Sequence, residues 1–416
     1  MCGFICSVSS TCSEYGVDSP NKRVIIVGDI HGSSKPFHAL LNKLNYNSNS
    51  DTLIHVGDTI TKGSHEGSLA VLAYMAKNNV MGVRGNHEQK VVEWRAWMEW
   101  IRGLEGGERW LAEIEERAKM QGKNISQSWV EEELNSMGLG GKWRRKIPKG
   151  WKMFSDHYKI ARDMSQRQYV YLLSLPVVLY VPSAHTYIVH AGILPYDPTR
   201  DPTHWRQPLS HVPSLSLSPS RLEANITGKK KDIERLRVLQ EQALLRDIPQ
   251  NNDPWVKLNM RSVEKNNRVT KLSKTGTPWS EIWNAAMETC VGFGMKAWGD
   301  EYDLMGKKGK KSLPCRPSTV VYGHAASRGL DIKRWSIGTD TGCVSFTKLC
   351  LVLFHVLIGR SSYQVYGRRL SALVLRSSSN SPSSPREADN FEDDLSLQNL
   401  PYGDDGRGQI LSVKCH

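Results

Sequence analysis

The chain has 416 residues, with 55 Lys and Arg against 42 Asp and Glu, a formal net charge of +13 and a pI near 9.3. Hydrophobic residues make up 39% before the 34 glycines are counted, a globular composition that excludes wholesale disorder; no collagen, coiled-coil or tandem-repeat pattern is present. The excess of positive charge points to a polyanionic partner: nucleic acid, an acidic membrane surface or a phosphate-rich substrate.

Residues 1–21 read as a flexible leader, lacking the cationic start and long apolar core of a signal peptide. Cys2 and Cys6 could carry acyl chains, but free thiols are the plainer reading. From residue 22 the pattern is regular. Residues 24–27 (VIIV) predict a buried strand, and Phe37, Leu40, Leu41 and Leu44 recur at helical spacing. Residues 53–56 predict a second strand, Leu69, Leu72, Ala73 and Ala76 a second helix, and residues 80–83 a third strand. This alternation implies parallel strands with helical crossovers, whose ligands gather beyond the strands' carboxyl ends.

A helical, Trp-rich insertion is expected over about 91–165, and residues 207–232 read as a flexible one from their Pro and Ser content. Residues 186–189 and 319–322 predict further strands. The basic clusters 229–231 and 307–311 are expected on solvated loops. The tail, 376–416, is Ser/Pro-rich and then acidic, ending in a short strand-like segment. The most apolar run, 349–358 (LCLVLFHVLI), is too short for a membrane span of roughly 20 residues. Eight cysteines (Cys2, Cys6, Cys12, Cys290, Cys315, Cys343, Cys350 and Cys415) show no C-x-x-C pair or regular spacing. That scatter argues against a disulfide framework or a structural zinc site and fits a reducing compartment.

The strand ends carry the chemistry. They read GDIHG, GDTITKG and RGNHE, offering Asp29 and His31, then Asp58, then Asn86 and His87. Asp29 and Asp58 are 29 residues apart, and Asp58 and Asn86 are 28 apart, each the length of one crossover. The two later strands add His190 and His324. Any one motif alone reads as turn chemistry, since Gly-Asp opens turns and Asn or Asp caps helices. Five in order at strand ends read as a metal site, and carboxylate, amide and imidazole together suit Zn²⁺, Mn²⁺ or Fe²⁺ rather than Ca²⁺.

These motifs resemble the calcineurin-like metallophosphoesterase family, especially its phosphoprotein phosphatase and ApaH-like branch, over about residues 24–375. The resemblance implies an α/β sandwich of two mixed β-sheets flanked by helices, holding two divalent metals (Zn, Mn, Fe or Co). Asp29, His31 and Asp58 would bind one metal, and Asp58, Asn86, His190 and His324 the other, with Asp58 bridging. Two metals roughly 3.5–4 Å apart share and acidify a bridging hydroxide and clamp phosphoryl oxygens for in-line attack. Arg84 could bind phosphate through its planar fork, and His87 is suited to protonating the leaving oxygen.

The chain departs from the family's protein phosphatases at the second motif. Where they carry GDxVDRG, this sequence has Thr61 for the acid that orients the catalytic histidine, and Lys62 for the phosphate-binding arginine. Lys62 offers a point charge, as in the ApaH-like branch. The stretches VPSAHTYIVHAGILPYDPTRDP, DIPQNNDPWVKLNMR and VVYGHAASRGLDI resemble fungal ApaH-like proteins that include metal-dependent endopolyphosphatases. Arg328 is then a further candidate phosphate contact, with a structural salt bridge as the alternative.

The expected activity is hydrolysis of phosphoanhydride bonds in polyphosphate or a nucleotide polyphosphate, with Arg84, Lys62 and Arg328 on substrate. The alternatives are a serine/threonine protein phosphatase and a non-catalytic phosphate-polymer or scaffold-binding protein. No nucleic-acid module is recognised, the sequence names no regulatory subunit, and a cytoplasmic address is expected.

One segment breaks the pattern. The run GTDTGC ends at Cys343 and the expected continuation, VYGRRLSALVL, begins only at Val365, leaving 21 intervening residues, 344–364. Val-Ser at its start is encodable as GTAAGT and Tyr-Gln at its end can finish in CAG, the usual intron borders. In-frame intron retention is the expected origin; the alternative is a genuine apolar hairpin or partner-docking segment.

Overall fold

Strand β1 (Arg23–Val27) alternates its side chains between two apolar environments, and that alternation sets the architecture. Ile25 and Val27 point to one layer of helices, while Ile26 points into a core between two sheets. The structure, a computed structural model, describes residues 22–122, 125–136, 141–214, 226–293, 312–343, 368–375 and 396–415, with side chains in 226–230 and at 136 left aside.

In chain order β1 is followed by α1 (Ser34–Lys43), β2 (Asp51–His55), α2 (His65–Lys77), β3 (Met81–Gly82) and α3 (Asn86–Arg102). Helices α4 (Gly107–Gln121), α5 (Gln127–Ser136), α6 (Asp156–Asp163) and α7 (Gln166–Ser174) come next, then the antiparallel pair β4 (Val178–Val181) and β5 (Thr186–Val189). After α8 (Ile226–Arg246), α9 (Pro249–Asn252) and α10 (Pro254–Asn259), strands β6 (Ser262–Val263), β7 (Val269–Thr270) and β8 (Thr277–Pro278) form a small sheet ahead of α11 (Trp279–Met287). The chain closes with β9 (Thr319–Tyr322), β10 (Asp331–Ile332), β11 (Ser336–Gly338), β12 (Arg369–Leu375), β13 (Ser396–Tyr402) and β14 (Gly406–Lys414).

The first sheet runs β13-β14-β12-β1-β2-β3, with β1, β2 and β3 parallel as the crossovers require and β12 antiparallel to β1. The second runs β10-β11-β9-β5-β4, with β5 parallel to β9. Both sheets are therefore mixed. Ile26, Ile54 and Leu373 of the first meet Ile188, Val321 and Ile337 of the second in the central core. The opposite faces are covered by α1–α7 and by α8–α11, giving helix–sheet–sheet–helix layers. The helical insertion is packed through tryptophans: Trp94 and Trp97 meet edge-to-face at 5.2 Å, and Trp110 stacks on Trp143 at 5.3 Å. Among the described residues no helix is long and apolar enough to cross a membrane.

Three sequence expectations change. Residues 229–231 lie in α8 and not on a loop, so ordered helix begins at Ile226, within the stretch read as flexible to 232; that helix carries Leu244 into the core of the second sheet. The strand-like end of the chain is a hairpin, and β14 pairs along the whole of β12 in the first sheet. Four cysteines pair: Cys290–Cys315 with Cα atoms 4.7 Å apart, and Cys343–Cys415 at 5.3 Å. Chain-distant thiols meet only through tertiary folding, which sequence spacing does not report. Disulfides persist mainly in oxidising compartments, so the cysteines no longer support a reducing one. Peptide mapping without reductant is expected to recover both linked pairs; alkylation of all four thiols in the native protein would refute this pairing.

Segments 307–311, 344–364 and 377–389 lie outside the described residues. The positions flanking the second are informative. Thr341 Oγ1 donates to the Arg369 carbonyl at 2.6 Å, and the Cys415 amide donates to the Arg368 carbonyl at 2.7 Å. Residues 341–343 and 368–369 thus lie side by side, and a few residues suffice to join them. Deleting 344–364 is expected to leave the melting temperature within a few degrees and raise the soluble yield; a cooperative transition lost on deletion would show the segment to be integral.

Candidate metal centre

The three parallel strands of the first sheet and strands β5 and β9 of the second end on one edge, so both sheets contribute side chains there. Asp29, His31, Asp58, His190 and His324 are all buried. Asp58, at φ 48°, uses its two carboxylate oxygens in different directions. Oδ1 lies 3.4 Å from His190 Nε2 and accepts from the His87 amide at 3.1 Å, while Oδ2 lies 3.8 Å from both His31 Nε2 and His87 Nε2. His31 Nε2 is also 4.0 Å from Asp29 Oδ2. On the other side, Asn86 Oδ1 is 3.0 Å from His190 Nε2, and the His190 and His324 rings are 4.9 Å apart.

Two groups result, each with one ligand atom per residue within 4.8 Å of the others: His31, Asp58 and His87, and Asp58, His190 and His324. Asp58 is common to both. Asp29 stands beside the first group, whereas His87, which the RGNHE motif offered as a ligand and the family resemblance made an acid, is within it.

Backbone and second-layer contacts hold these atoms in place. His190 Nδ1 donates to the Val56 carbonyl at 2.9 Å, which leaves Nε2 as the free lone pair facing Asp58 and Asn86. His324 Nε2 sits 3.2 Å from the Asn259 carbonyl, directing Nδ1 to the centre when Nε2 carries the proton. Buried Glu88 accepts from the Asp58 and Thr59 amides at 2.8 and 2.7 Å and from the Gly85 amide at 2.9 Å, fixing the loop that carries Asp58 to the start of α3. Two motif glycines are steric requirements: a Cβ at Gly85 would collide with Asp58 Oδ1, and one at Gly323 with Asp29 Oδ1.

The donor set fits divalent cations. Asp29 Oδ1 is buried with no hydrogen-bond partner, an arrangement costly unless a cation faces it. Burial, together with the Asp340 and Asp58 charges, pushes the Asp29 carboxyl well above the usual range. Asp58 is also pushed up by burial, but His190 and His87 outweigh that and hold it well below. Burial pulls the His31 and His324 imidazoles down, toward the neutral form that ligates metal. Oxygen and imidazole donors of this kind suit Zn, Mn, Fe or Co.

Residues 22–324 match the model of the calcineurin-like phosphoesterase family. The chain belongs to that family. The symmetrical bis(5'-nucleosyl)-tetraphosphatase of Haemophilus ducreyi is 45% identical over 65 residues, 15% of this chain and 23% of that protein. Serine/threonine-protein phosphatase 1 of Salmonella typhimurium is 33% identical over 93 residues, 22% of this chain and 42% of that protein. The chain thus spans less than half the length of these curated relatives. A solved structure assigned as a diadenosine tetraphosphatase is 21% identical with a TM-score of 0.40, covering 85% of this chain and 89% of that one.

The cations read as phosphate contacts differ in placement. Lys62 Nζ reaches 3.1 Å from His31 Nε2, at the centre itself. Arg84 donates to Gln89 Oε1 at 3.0 Å and to the Leu173 carbonyl at 2.7 Å, so this fork is turned to helices α3 and α7. Arg328 donates to the Arg261 carbonyl at 2.7 Å, with no salt bridge among the described residues.

Four residues escaped the sequence reading. Arg261 donates to the His324 carbonyl through Nε and Nη2, at 3.2 and 2.9 Å, within the field of Asp340, Asp58 and Asp29; its stretch, DPWVKLNMR, was the available signal. Asp340, in GTDTG, and Glu88, in RGNHE, lay inside recognised motifs. His157 had no such signal. Its Nε2 is 2.8 Å from His87 Nδ1, which Thr61 Oγ1 also approaches at 2.7 Å.

Proposed function

We propose that the chain cleaves phosphoanhydride bonds in inorganic polyphosphate, or in a nucleotide polyphosphate, as a two-metal phosphohydrolase. The observation that carries this reading is Asp58, whose two oxygens face two separate ligand groups. Asp29, His31 and Asp58 would hold one metal, and Asp58, Asn86, His190 and His324 the other. When bound, the pair supplies Lewis acidity and an acidified water. This chain's residues do the rest. Lys62 and Arg261 bind phosphoryl oxygens, with Arg84 and Arg328 as outer contacts. Water adds to one phosphorus as its bridging P–O bond breaks, and His87 Nε2 gives its proton to the departing phosphate oxygen.

A phosphoanhydride substrate is favoured by Lys62 at the position of the protein phosphatases' arginine and by the +13 charge. The match to a tetraphosphatase from Haemophilus ducreyi supports the same bond type. The match to Salmonella serine/threonine-protein phosphatase 1 favours a phosphoprotein as the second reading, against which Thr61 and Lys62 count.

A side-by-side panel tests it: purified protein with Zn²⁺, Mn²⁺ or Co²⁺ is offered long-chain polyphosphate, diadenosine tetraphosphate, capped RNA and a phosphopeptide. Shortened polyphosphate chains support the proposal, and turnover confined to the phosphopeptide refutes it.

A further inference from the structure

Residues 142–152, KWRRKIPKGWK, carry six cations and no acid. The segment's apolar side chains pin it to the helical layer: Trp143 is buried against Trp110, Ile147 is buried, and Trp97 Nε1 donates to the Lys146 carbonyl at 2.8 Å. Pinned this way, the cations face outward. Arg144, Arg145, Lys149 and Lys152 line an open cleft of about 540 Å³ beside Glu131 and Trp151.

Glu131 is the one acid lining that cleft, and Arg144 takes both its oxygens, at 2.8 and 3.2 Å. Arg145, Lys149 and Lys152 are exposed and carry no ion pair among the described residues. The wall thus presents three uncompensated positive charges. Lys152 precedes His157 by five residues, so their Cα atoms lie within about 18 Å of each other, and His157 touches His87 in the metal centre.

We propose that this cleft is a second binding site, outside the metal centre, that anchors a linear phosphate polymer while another part of the same chain occupies the centre. The aromatic residues decide between polymers. Trp143 is 2% exposed, and Trp151 packs against Trp94 with ring centroids 4.6 Å apart. Trp143 therefore offers no face on which single-stranded nucleic acid could stack its bases, and half-buried Trp151 is the one aromatic ring lining the cleft. Three uncompensated cations against a single half-buried ring in the cleft favour a polymer of charge without bases, inorganic polyphosphate. The inference rests on the polyphosphate reading of the metal centre and adds chain-length preference to it.

The test separates the two. Binding is measured with the full chain carrying Asp58→Asn, so that polymer is not consumed, with and without R145Q/K149Q/K152Q. The expected result is at least about tenfold weaker binding of long-chain polyphosphate near 0.1 M salt, and a log–log salt slope shallower by about 2, by analogy with single strands. The charge-retaining R145K/K149R/K152R keeps the affinity. In the active enzyme the triple Gln substitution raises KM for long chains but moves KM for tripolyphosphate less than about twofold, since that substrate is too short to reach the cleft.

Unchanged long-chain affinity, an equal loss for tripolyphosphate, or tighter binding of single-stranded RNA than of polyphosphate would overturn the anchor site. Wild-type protein that binds but does not shorten polyphosphate would instead overturn the reading of the metal centre.

Discussion

Asp58→Asn is expected to lower polyphosphate turnover by about a thousandfold, with bound metal per chain falling below that of the wild type. The substitution keeps size and shape, and the Asp58 backbone stays anchored by Glu88 at 2.8 Å. It removes the one negative charge shared by both ligand groups. Metal-supplied stabilisation of a phosphoryl transfer is worth several kcal/mol, and each 1.36 kcal/mol is about tenfold in rate. A loss of roughly 4 kcal/mol therefore corresponds to about three decades. The stability readout separates chemistry from misfolding. Asp29 is pushed up in part by the Asp58 charge, whereas His190 and His87 hold Asp58 itself down, so neutralising Asp58 relieves one repulsion and gives up two attractions. Melting of the chelated variant within a few degrees of the chelated wild type, together with lost turnover and lost metal, is the expected pattern. Turnover within tenfold of wild type would refute the bridging role.

Much of this centre was legible because its geometry is imposed by chain connectivity. A parallel strand–helix–strand unit returns the chain to the same sheet edge, so residues at successive strand ends in β1, β2 and after β3 had to converge. His190 and His324 were legible as strand-end residues, but their reaching Asp58 from another sheet depends on sheet packing, set by Ile26, Ile188 and Val321 in the shared core. No local spacing encodes that. Features without any local signal share one cause, contact between chain-distant segments. His157 lies 70 positions beyond its partner His87, in an insertion whose pattern reports only tryptophan packing. Cys343 meets Cys415 because β14 runs antiparallel to β12, a pairing invisible in a tail read by composition. In α8, Lys229–Lys231 look like a loop by charge alone, but Leu244 and buried Arg237 further along require a helix.

His87→Ala is expected to cost about 10²–10⁴-fold on polyphosphate, the usual contribution of a positioned general acid. The loss is expected to be far smaller on 4-nitrophenyl phosphate, whose leaving group departs without a proton. His157 sharpens the test. To give its Nε2 proton, which faces Asp58 at 3.8 Å, His87 must be the imidazolium, and its Nδ1–H then donates to the Thr61 hydroxyl oxygen or to the His157 Nε2 lone pair. The rings of His87 and His157 lie 9° from parallel with centroids 4.9 Å apart, so His157 also limits the tilt of its neighbour. It is a positioning residue, occupying with Thr61 the role that an acid fills in the phosphoprotein branch. His157→Ala should therefore lower kcat about 10–100-fold, the range for outer-shell partners, with KM little changed. The decisive readout is leaving-group dependence: His157→Ala should steepen it in the same sense as His87→Ala, and the double variant should be no worse than His87→Ala alone. Thr61→Asp in the His157→Ala background should restore part of the rate by returning a carboxylate to Nδ1. Losses that add independently, with no change in leaving-group dependence, would show His157 to be packing only.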